Sequence, residues 1–387
     1  MANIGLLNLE LEEPLTPLAN EIIRQADLKR DWVLNTAAMR MDGGLRFHFG
    51  TGSNEQELAI NDYAHGQIAA FTGIPRKYYD LMRREKPELL ANNVNSWFKS
   101  KEAKRMVRTM DGHMRAFLSD TYKRRDNLGV AESIIPMMED LHFKVISADI
   151  TESRLYIKAV DEAIERDVPK GAVIGDNSHT IFDTHVPAMC LSNSEIGCGA
   201  TVLELGTLRR MCTNLAWFAS EGMRRVHLGA RIDTGADNYR LLTDETKDVM
   251  DHAFYLELRD TLKHGMSGEA MDKRMAKITG TIEREITGDL NKVVELVGDH
   301  FGMGATTKSS VLKHLATGGK LNQYHLAQAI TRAATDETNY DASSAYEEAG
   351  GALLDLSAAE WKALNSGHEI RKLKGGDLKL PELLEAA

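Results

Sequence analysis

A two-residue connection, Asp111–Gly112, divides a strand-forming stretch that runs from Arg105 to Leu118. An Asp-Gly pair favours a type I′ turn, and this turn determines the register of the two strands that it joins. In that register Arg108 faces Arg115 directly. Because side chains alternate along a strand, one face collects the following residues: Arg108, Arg115, His113, Met106, Met110 and Phe117. The opposite face is apolar and suits a core.

Two arginines that face each other across a strand pair repel and destabilise the hairpin. The sequence therefore predicts an anion between Arg108 and Arg115, either a carboxylate of the chain itself or a phosphate of a ligand. Arginine suits a phosphate because its planar guanidinium binds two oxygens at once. Phe117 and His113 on the same face offer stacking surfaces for unpaired bases. Both alternatives stay open at this point.

The formal net charge of -10 argues against a nucleic-acid partner, but the charge is unevenly distributed. Residues 101–126 carry eight basic and four acidic side chains, and residues 205–231 carry five arginines and one glutamate. Residues 332–361 carry seven acidic side chains and one basic side chain. The basic middle supplies the candidate nucleic-acid-binding residues: Arg108, Arg115, His113, Phe117, Lys123, Arg124, Arg125, Arg209, Arg210, Arg224 and Arg225.

The pattern of turns and apolar spacings predicts an α+β fold, with central antiparallel hairpins packed against helices and a helical C-terminal region. A second hairpin is expected at 143–160, and helical spacing of apolar residues dominates the last third of the chain. We expect an N-terminal hairpin with helices over 1–100, a strand-rich and locally basic core over 101–235, and a helical region with an acidic end over 236–387.

Composition predicts that the chain is a cytosolic protein. Hydrophobic residues make up 43% of the 387 residues, which is enough for a full core. No stretch reaches the roughly 18 apolar residues of a membrane span, so no membrane contact is expected. The N-terminus lacks the pattern of a signal peptide. Three cysteines are a sparse, odd set, typical of a reducing compartment.

Acidic, histidine and cysteine side chains between residues 176 and 198 are candidates for a metal centre or a nuclease site. His179, Asp183, His185, Cys190 and Cys198 match no closed zinc spacing. An acidic cluster of Asp176, Asp183 and Glu195 lacks the lysine that a nuclease strand usually adds. We therefore expect no metal, no cofactor and no catalytic constellation. Turn chemistry accounts for every residue of the Asn193–Glu195 loop, and a functional role of this loop is the less favoured alternative.

Six stretches resemble the phage- and plasmid-borne family known as domain of unknown function 932. They are Gly73–Tyr79, Asn92–Trp97, Arg115–Asn127, Ser192–Gly197, Arg209–Asn214 and Ala329–Ala333. The resemblance spans about residues 55 to 361, and Leu215 stands where the family usually has a glycine. It implies a mobile-element origin, a location in the cytoplasm of a bacterial host, and a role in DNA metabolism, recombination or host defence. It implies no established activity and no catalytic residues.

These observations favour a phage or mobile-element protein that binds single-stranded DNA without sequence specificity, in annealing or recombination. Such proteins often act cooperatively, so a homo-oligomer is expected, and a phage or host recombination protein is a candidate partner. An alternative is an interaction protein that binds a host or phage factor through the acidic helical end. A metal-dependent nuclease is the third alternative, and an enzymatic activity is not favoured.

Overall fold

The computed structural model describes residues 14–168, 183–210, 214–225, 244–317 and 320–368. Within these ranges the chain forms twelve α-helices and two six-stranded sheets, with the helices concentrated in the C-terminal part. The expected α+β fold is therefore confirmed. The Val226–Arg231 stretch, Cys212, Asp176 and His179 lie outside the described residues.

The strands and helices follow one another along the chain. The strands are Arg30–Asn35 (β1), Met39–Met41 (β2), Phe47–Phe49 (β3), Gln56–Ile60 (β4), Lys104–Met110 (β5), His113–Ser119 (β6), Lys144–Ile150 (β7), Leu155–Val160 (β8), Arg166–Asp167 (β9), Thr184–Asn193 (β10), Thr201–Arg209 (β11) and Asn214–Arg225 (β12). The helices are Leu15–Leu28 (α1), Asp62–Thr72 (α2), Arg76–Glu85 (α3), Pro87–Ser100 (α4), Asn127–Asp140 (α5), Asp244–Gly265 (α6), Gly268–Ile282 (α7), Leu290–His300 (α8), Ala305–Thr317 (α9), Gln323–Thr335 (α10), Tyr340–Leu354 (α11) and Ala358–Asn365 (α12).

The first sheet has the strand order β1-β5-β6-β4-β3-β2, and its only parallel pair among the described strands is β4 with β6. The Trp32 ring on β1 lies 5.3 Å from the Phe49 ring on β3. These strands are four positions apart in the order, which in a flat sheet would separate them by about 19 Å. The sheet is therefore strongly curled. Its strands come from both sides of the predicted boundary at residue 100.

Helices α2, α3 and α4 cover one face of this sheet. Asn61 caps α2 by accepting the Ala64 N–H at 2.8 Å, and Gly73 ends it in the left-handed conformation with φ of 75°. Pro87 starts α4, because proline is tolerated in a first helical turn. The buried stripe of α4 then packs with the sheet in one apolar cluster that includes Phe98.

The hairpin of β5 and β6 turns at Asp111–Gly112 as expected, but its predicted register is wrong. Thr109 pairs with Met114, whereas Arg108 pairs with Ala116, so Arg115 is an extra residue in β6. Such a bulge interrupts the strict alternation of side chains between the two faces.

The bulge also changes which side of the sheet Phe117 occupies. Met114 and Phe117 are three residues apart, yet both lie in the core under α2 and α4. Ala116 and Leu118 instead belong to a cluster that includes Ile196. The prediction that Phe117 shares a face with Arg108 and Arg115 is therefore wrong.

The second sheet has the order β12-β11-β10-β8-β7, and β9 pairs with β10 beside it. The predicted hairpin at 143–160 corresponds to β7 and β8. Helices α1, α5 and α6 cover one face of this sheet through an apolar cluster. Helix α11 lies against β12 on another side, and helices α7 to α12 share a C-terminal core.

Candidate functional site

The predicted arginine pair lies where the first sheet meets the loop between β10 and β11. Arg108 is buried and binds Asp31 through two hydrogen bonds, from Nε to Oδ1 at 2.8 Å and from Nη2 to Oδ2 at 3.1 Å. Nη2 also donates to Asp126 Oδ1 at 2.7 Å, and Nη1 donates to the backbone carbonyl of Glu195 at 2.8 Å. The guanidinium is thus surrounded by groups of the chain.

Glu195 supplies the anion for the second arginine. Its Oε2 lies 3.4 Å from Arg115 Nη1, and its Oε1 accepts from Lys29 Nζ at 3.0 Å. The backbone N–H of Asn127 donates to the same Oε1 at 2.7 Å. The carboxylate is buried, and it links the hairpin to the start of α5 and to the residue that follows α1.

The loop that carries Glu195 is held by side-chain amides and hydroxyls. Asn193 Nδ2 donates to Asn127 Oδ1 at 2.8 Å, and the Asn193 amide oxygen accepts from Thr201 Oγ1 at 2.7 Å. The Tyr122 hydroxyl donates to the Ser194 carbonyl at 3.1 Å. Two stretches that carry the family resemblance, 115–127 and 192–197, therefore meet in one polar junction.

Electrostatics in this junction favour the ionised states of Asp126 and Arg108. Burial raises the pKa of Asp126, but the positive charges of Arg108 and Lys29 outweigh burial and hold that pKa below its usual value. Burial lowers the pKa of Arg108, but Asp126, Asp31 and Glu195 raise it above its usual value. Of the two anions considered from sequence, the internal carboxylate is the one that the structure contains.

Two of the other predicted binding residues serve the core. Phe117 has no exposed surface, and its ring stacks on Phe98 at 5.6 Å with an interplanar angle of 20°. The Arg125 guanidinium lies 4.5 Å from the centre of the Phe254 ring. The Phe117 ring is therefore not accessible to a base in this conformation.

The remaining candidates divide by exposure. Buried ones are Lys123 and Arg209. Exposed ones are His113, Arg124, Arg210 and Arg224, of which Arg124 pairs with Asp31 and Arg210 pairs with Glu165. The side chain of Arg225 lies outside the described residues. The eleven candidates are consequently spread over both sheets.

Two of the candidate metal ligands, Asp183 and His185, lie in a buried polar cluster between the second sheet and α10, whereas Cys190 lies farther along β10 and Cys198 lies in the loop that follows it. Asp183 accepts hydrogen bonds from Arg209 Nε and from the Tyr324 hydroxyl. His185 lies 3.1 Å from the same hydroxyl, and burial lowers its pKa to about 4. Within the described ranges, no three His, Cys, Asp or Glu side chains are arranged to hold a metal ion.

The outer face of α4 is a feature that sequence reasoning missed. Leu89 is 51% exposed and Trp97 is 43% exposed, with the half-buried Asn93 between them at helical spacing. Lys86 and Lys99 near the two ends of α4 are exposed and make no ion pair with any described residue. Leu89 and Trp97 fall directly beside the buried stripe of Leu90, Val94 and Phe98, so helical spacing alone does not separate the exposed side of α4 from the buried side.

The acidic C-terminal stretch is largely occupied by contacts within the chain. Lys158 donates to Glu347 at 2.7 Å, and Lys277 donates to Asp355 at 2.9 Å. Five further carboxylates accept hydrogen bonds or share one with another carboxyl group: Asp336, Glu337, Asp341, Glu348 and Glu360. The seven acidic side chains of this stretch thus all have internal partners.

No family model, curated protein or solved structure matches this chain. The resemblance to domain of unknown function 932 therefore stays a prediction. None of the described helices combines the length and the apolar character needed to cross a bilayer.

Proposed function

We propose that this protein binds single-stranded DNA through the outer face of α4 and acts in annealing or recombination, and recombination is among the roles that the family resemblance implies. The observation that carries the proposal is the exposed indole of Trp97, which shares a helical stripe with Asn93 and Leu89. Exposed Lys86 and Lys99 flank this stripe. We refer to these five residues as the α4 face.

The α4 face combines the two elements that sequence-independent recognition of single strands requires. Every base has a flat π-surface, so an exposed indole can stack on a base of any identity. Lysines that lack a carboxylate partner are available to neutralise phosphates. Asn92 is exposed beside the stripe and carries both a donor and an acceptor for base edges. Asn95, by contrast, is used by the backbone of Met41.

We propose the α4 face as the interface instead of the hairpin face. The hairpin arginines already have carboxylate partners, whereas the lysines of the α4 face make no ion pair with any described residue. Arg108 and Arg115 already bind Asp31, Asp126 and Glu195 within the chain. Moving either arginine to a phosphate would break ion pairs that include the buried Arg108 and Glu195 side chains, and breaking a buried pair costs several kcal/mol. Lys86 and Lys99 carry no such penalty. Of the earlier candidates, exposed His113 and Arg224 remain compatible with secondary phosphate contacts.

The decisive experiment compares two exposed tryptophans. Trp97→Ala should weaken binding of a thirty-residue oligothymidylate by about 1–3 kcal/mol, or roughly 5- to 150-fold in Kd. Trp32→Ala is the matched control, since Trp32 is similarly exposed but lies on β1. Equal losses in both variants, or no binding by the wild-type protein, would overturn the proposal.

A salt titration tests the electrostatic part separately. Binding should weaken linearly on a logarithmic salt scale, and Lys99→Gln should reduce the slope by somewhat under one unit. Lys144→Gln serves as the control because Lys144 is exposed but pairs with Glu162 at 3.0 Å. An unchanged slope in Lys99→Gln would remove that residue from the interface.

The alternative partner class is a protein. Its original support was the acidic C-terminal stretch, and the internal contacts of those carboxylates weaken that support. The exposure of Tyr78 and Leu81 favours a protein partner, because these side chains add apolar surface on α3, the helix that precedes α4. Oligonucleotide binding that is insensitive to Trp97→Ala would favour this alternative for the α4 face.

A further inference from the structure

Helix α11 docks on the second sheet through polar contacts along its length. Near its start, the Tyr340 hydroxyl lies 2.6 Å from Ser147 Oγ on β7. Asp341 Oδ2 accepts from Ser153 Oγ at 2.7 Å. Near its end, the helix approaches β12 so closely that a Cβ on Gly351 would lie 1.8 Å from the Trp217 carbonyl oxygen. One side of α11 contributes apolar residues to the C-terminal core, and the side that faces the second sheet carries these hydrogen bonds.

The middle of the interface contains a row of ionisable side chains. Lys158 on β8 pairs with Cys190 on β10, and Cys190 pairs with Glu204 on β11. Residues paired across adjacent strands project from the same face of a sheet. Lys158, Cys190 and Glu204 therefore form one row toward α11, which supplies Glu347 and Glu348.

Of the three carboxyl groups, Glu204, Glu347 and Glu348, Lys158 forms its ion pair with Glu347. Its ammonium donates to Glu347 Oε2 at 2.7 Å, and the same oxygen accepts from Trp217 Nε1 at 2.9 Å. Glu348 lies in hydrogen-bonding contact with Glu204. Two carboxyl groups can share a hydrogen bond only when one of them holds a proton, because two carboxylates are both acceptors.

We infer that the Glu204–Glu348 carboxyl pair is a proton-dependent clamp between α11 and the second sheet. With one proton between them, the two groups hold the helix to β11. Without it, two negative charges meet in a partly buried site beside the Glu347 carboxylate. The interface then weakens, and α11 opens more often.

The surrounding positive charges only partly offset the cost of burying a second ionised carboxyl group. The groups that face the pair are Lys158 on β8, Arg154 before β8, Cys190 on β10, and Glu347 on α11. Lys158 is taken by Glu347, and Arg154 Nη2 donates to the Cys198 carbonyl at 2.9 Å. Burial, aided by the charge of Glu347 and opposed by Arg154, raises the pKa of Glu348 to about 7.

The direction of the pH effect follows from this raised pKa. A carboxyl group with a higher pKa in the folded state binds more protons there than in the opened state. The stabilisation is complete below the ordinary pKa of 4.5 and is lost as pH rises through about 7. The clamp is thus closed at mildly acidic pH and weakened at mildly alkaline pH.

Hydrogen exchange of α11 backbone amides, corrected for the intrinsic effect of pH, tests the clamp. For a pKa near 7, protection in the wild-type protein should fall by about tenfold between pH 6 and pH 8 relative to Glu348→Gln. The glutamine amide can donate to Glu204 at any pH, so this variant should keep its protection. Glu295→Gln, an exposed site on α8, is the control and should behave as wild type.

Glu204→Gln provides an independent test of the clamp if Glu348→Gln fails to fold. Glu204→Gln places the donor on the sheet side and should likewise keep α11 protected at pH 8. Buried histidines elsewhere affect all these proteins equally, so the comparison between variants isolates the carboxyl pair. The inference is overturned if both glutamine variants lose as much protection between pH 6 and pH 8 as the wild type.

Discussion

The Arg108 guanidinium and the Asp31 carboxylate form a two-point ion pair, with Nε to Oδ1 at 2.8 Å and Nη2 to Oδ2 at 3.1 Å. This pair joins β5 to the edge strand β1, whose residues are in direct register with it. Asp126 and the Glu195 carbonyl complete the environment of the guanidinium. The pair is therefore a stabilising contact of the first sheet. Substitution of the arginine removes its buried charge from the junction and leaves Asp31 with the exposed Arg124 and Asp126 with Lys29.

We expect Arg108→Gln to lower the free energy of unfolding by about 3–5 kcal/mol, as for other broken buried ion pairs. Denaturant unfolding followed by circular dichroism measures this. Arg124→Gln is the control, because Arg124 also pairs with Asp31 but its side chain is 58% exposed. That variant should lose less than about 1 kcal/mol. A stable Arg108→Gln variant would show that the junction contributes little.

Phe117→Ala should act on stability and leave DNA affinity unchanged. The ring is fully buried between Phe98 and Phe71, so its removal should cost about 3–5 kcal/mol of unfolding free energy. Affinity for oligothymidylate, measured where the variant is still folded, should match the wild type. A selective loss of affinity with normal stability would return Phe117 to the binding surface.

Two helical glycines should respond in opposite ways to alanine. Gly351→Ala puts a methyl group against the Trp217 backbone and should destabilise the protein, because backbone atoms cannot move aside cheaply. Gly280→Ala in α7 has open space and should be neutral or stabilising by about 0.5–1 kcal/mol. Thermal unfolding of both variants tests the close approach of α11 to β12.

Acid should destabilise the fold through His65. Burial, together with the nearby charge of Arg83, lowers the pKa of His65 to about 3, and its ring lies 2.8 Å from the Tyr79 hydroxyl. A histidine with a lowered folded pKa stabilises the protein fully above about 6.5, and this contribution is lost as pH falls toward 3. His65→Gln should reduce the slope of the free energy of unfolding against pH, on the acid side, by up to about 1.4 kcal/mol per pH unit. The exposed His113→Gln variant should leave it unchanged.

Local chemistry in the sequence was sufficient to predict the hairpins but not their detailed register. The Asp-Gly turn between β5 and β6 lies where expected, as does the hairpin of β7 and β8. The bulge at Arg115 was not visible, because it responds to distant groups: Glu195 lies 80 residues further along the chain. A single extra residue then reversed the faces assigned to Phe117 and its neighbours.

The candidate site was predicted even less well, and the reason is again long-range contact. Counting charges along residues 332–361 treats every acidic side chain as exposed. Glu347 instead meets Lys158, which is 189 residues earlier in the chain. Trp97 could be identified only by separating the exposed and buried stripes of α4, which requires knowledge of where the sheet lies. Charge and helical spacing alone cannot distinguish these environments.

The pairing of Lys158 with Glu347 also bears on the order in which a newly made chain can complete its fold. At a synthesis rate of roughly 5–20 residues per second, Glu347 leaves the ribosome about 10–40 seconds after Lys158. During this interval the second sheet carries an ammonium group on a face that α11 has yet to cover. Nascent chains arrested before α11 should therefore bind chaperones or be cut by proteases at β8 and β10, whereas chains that include it should not.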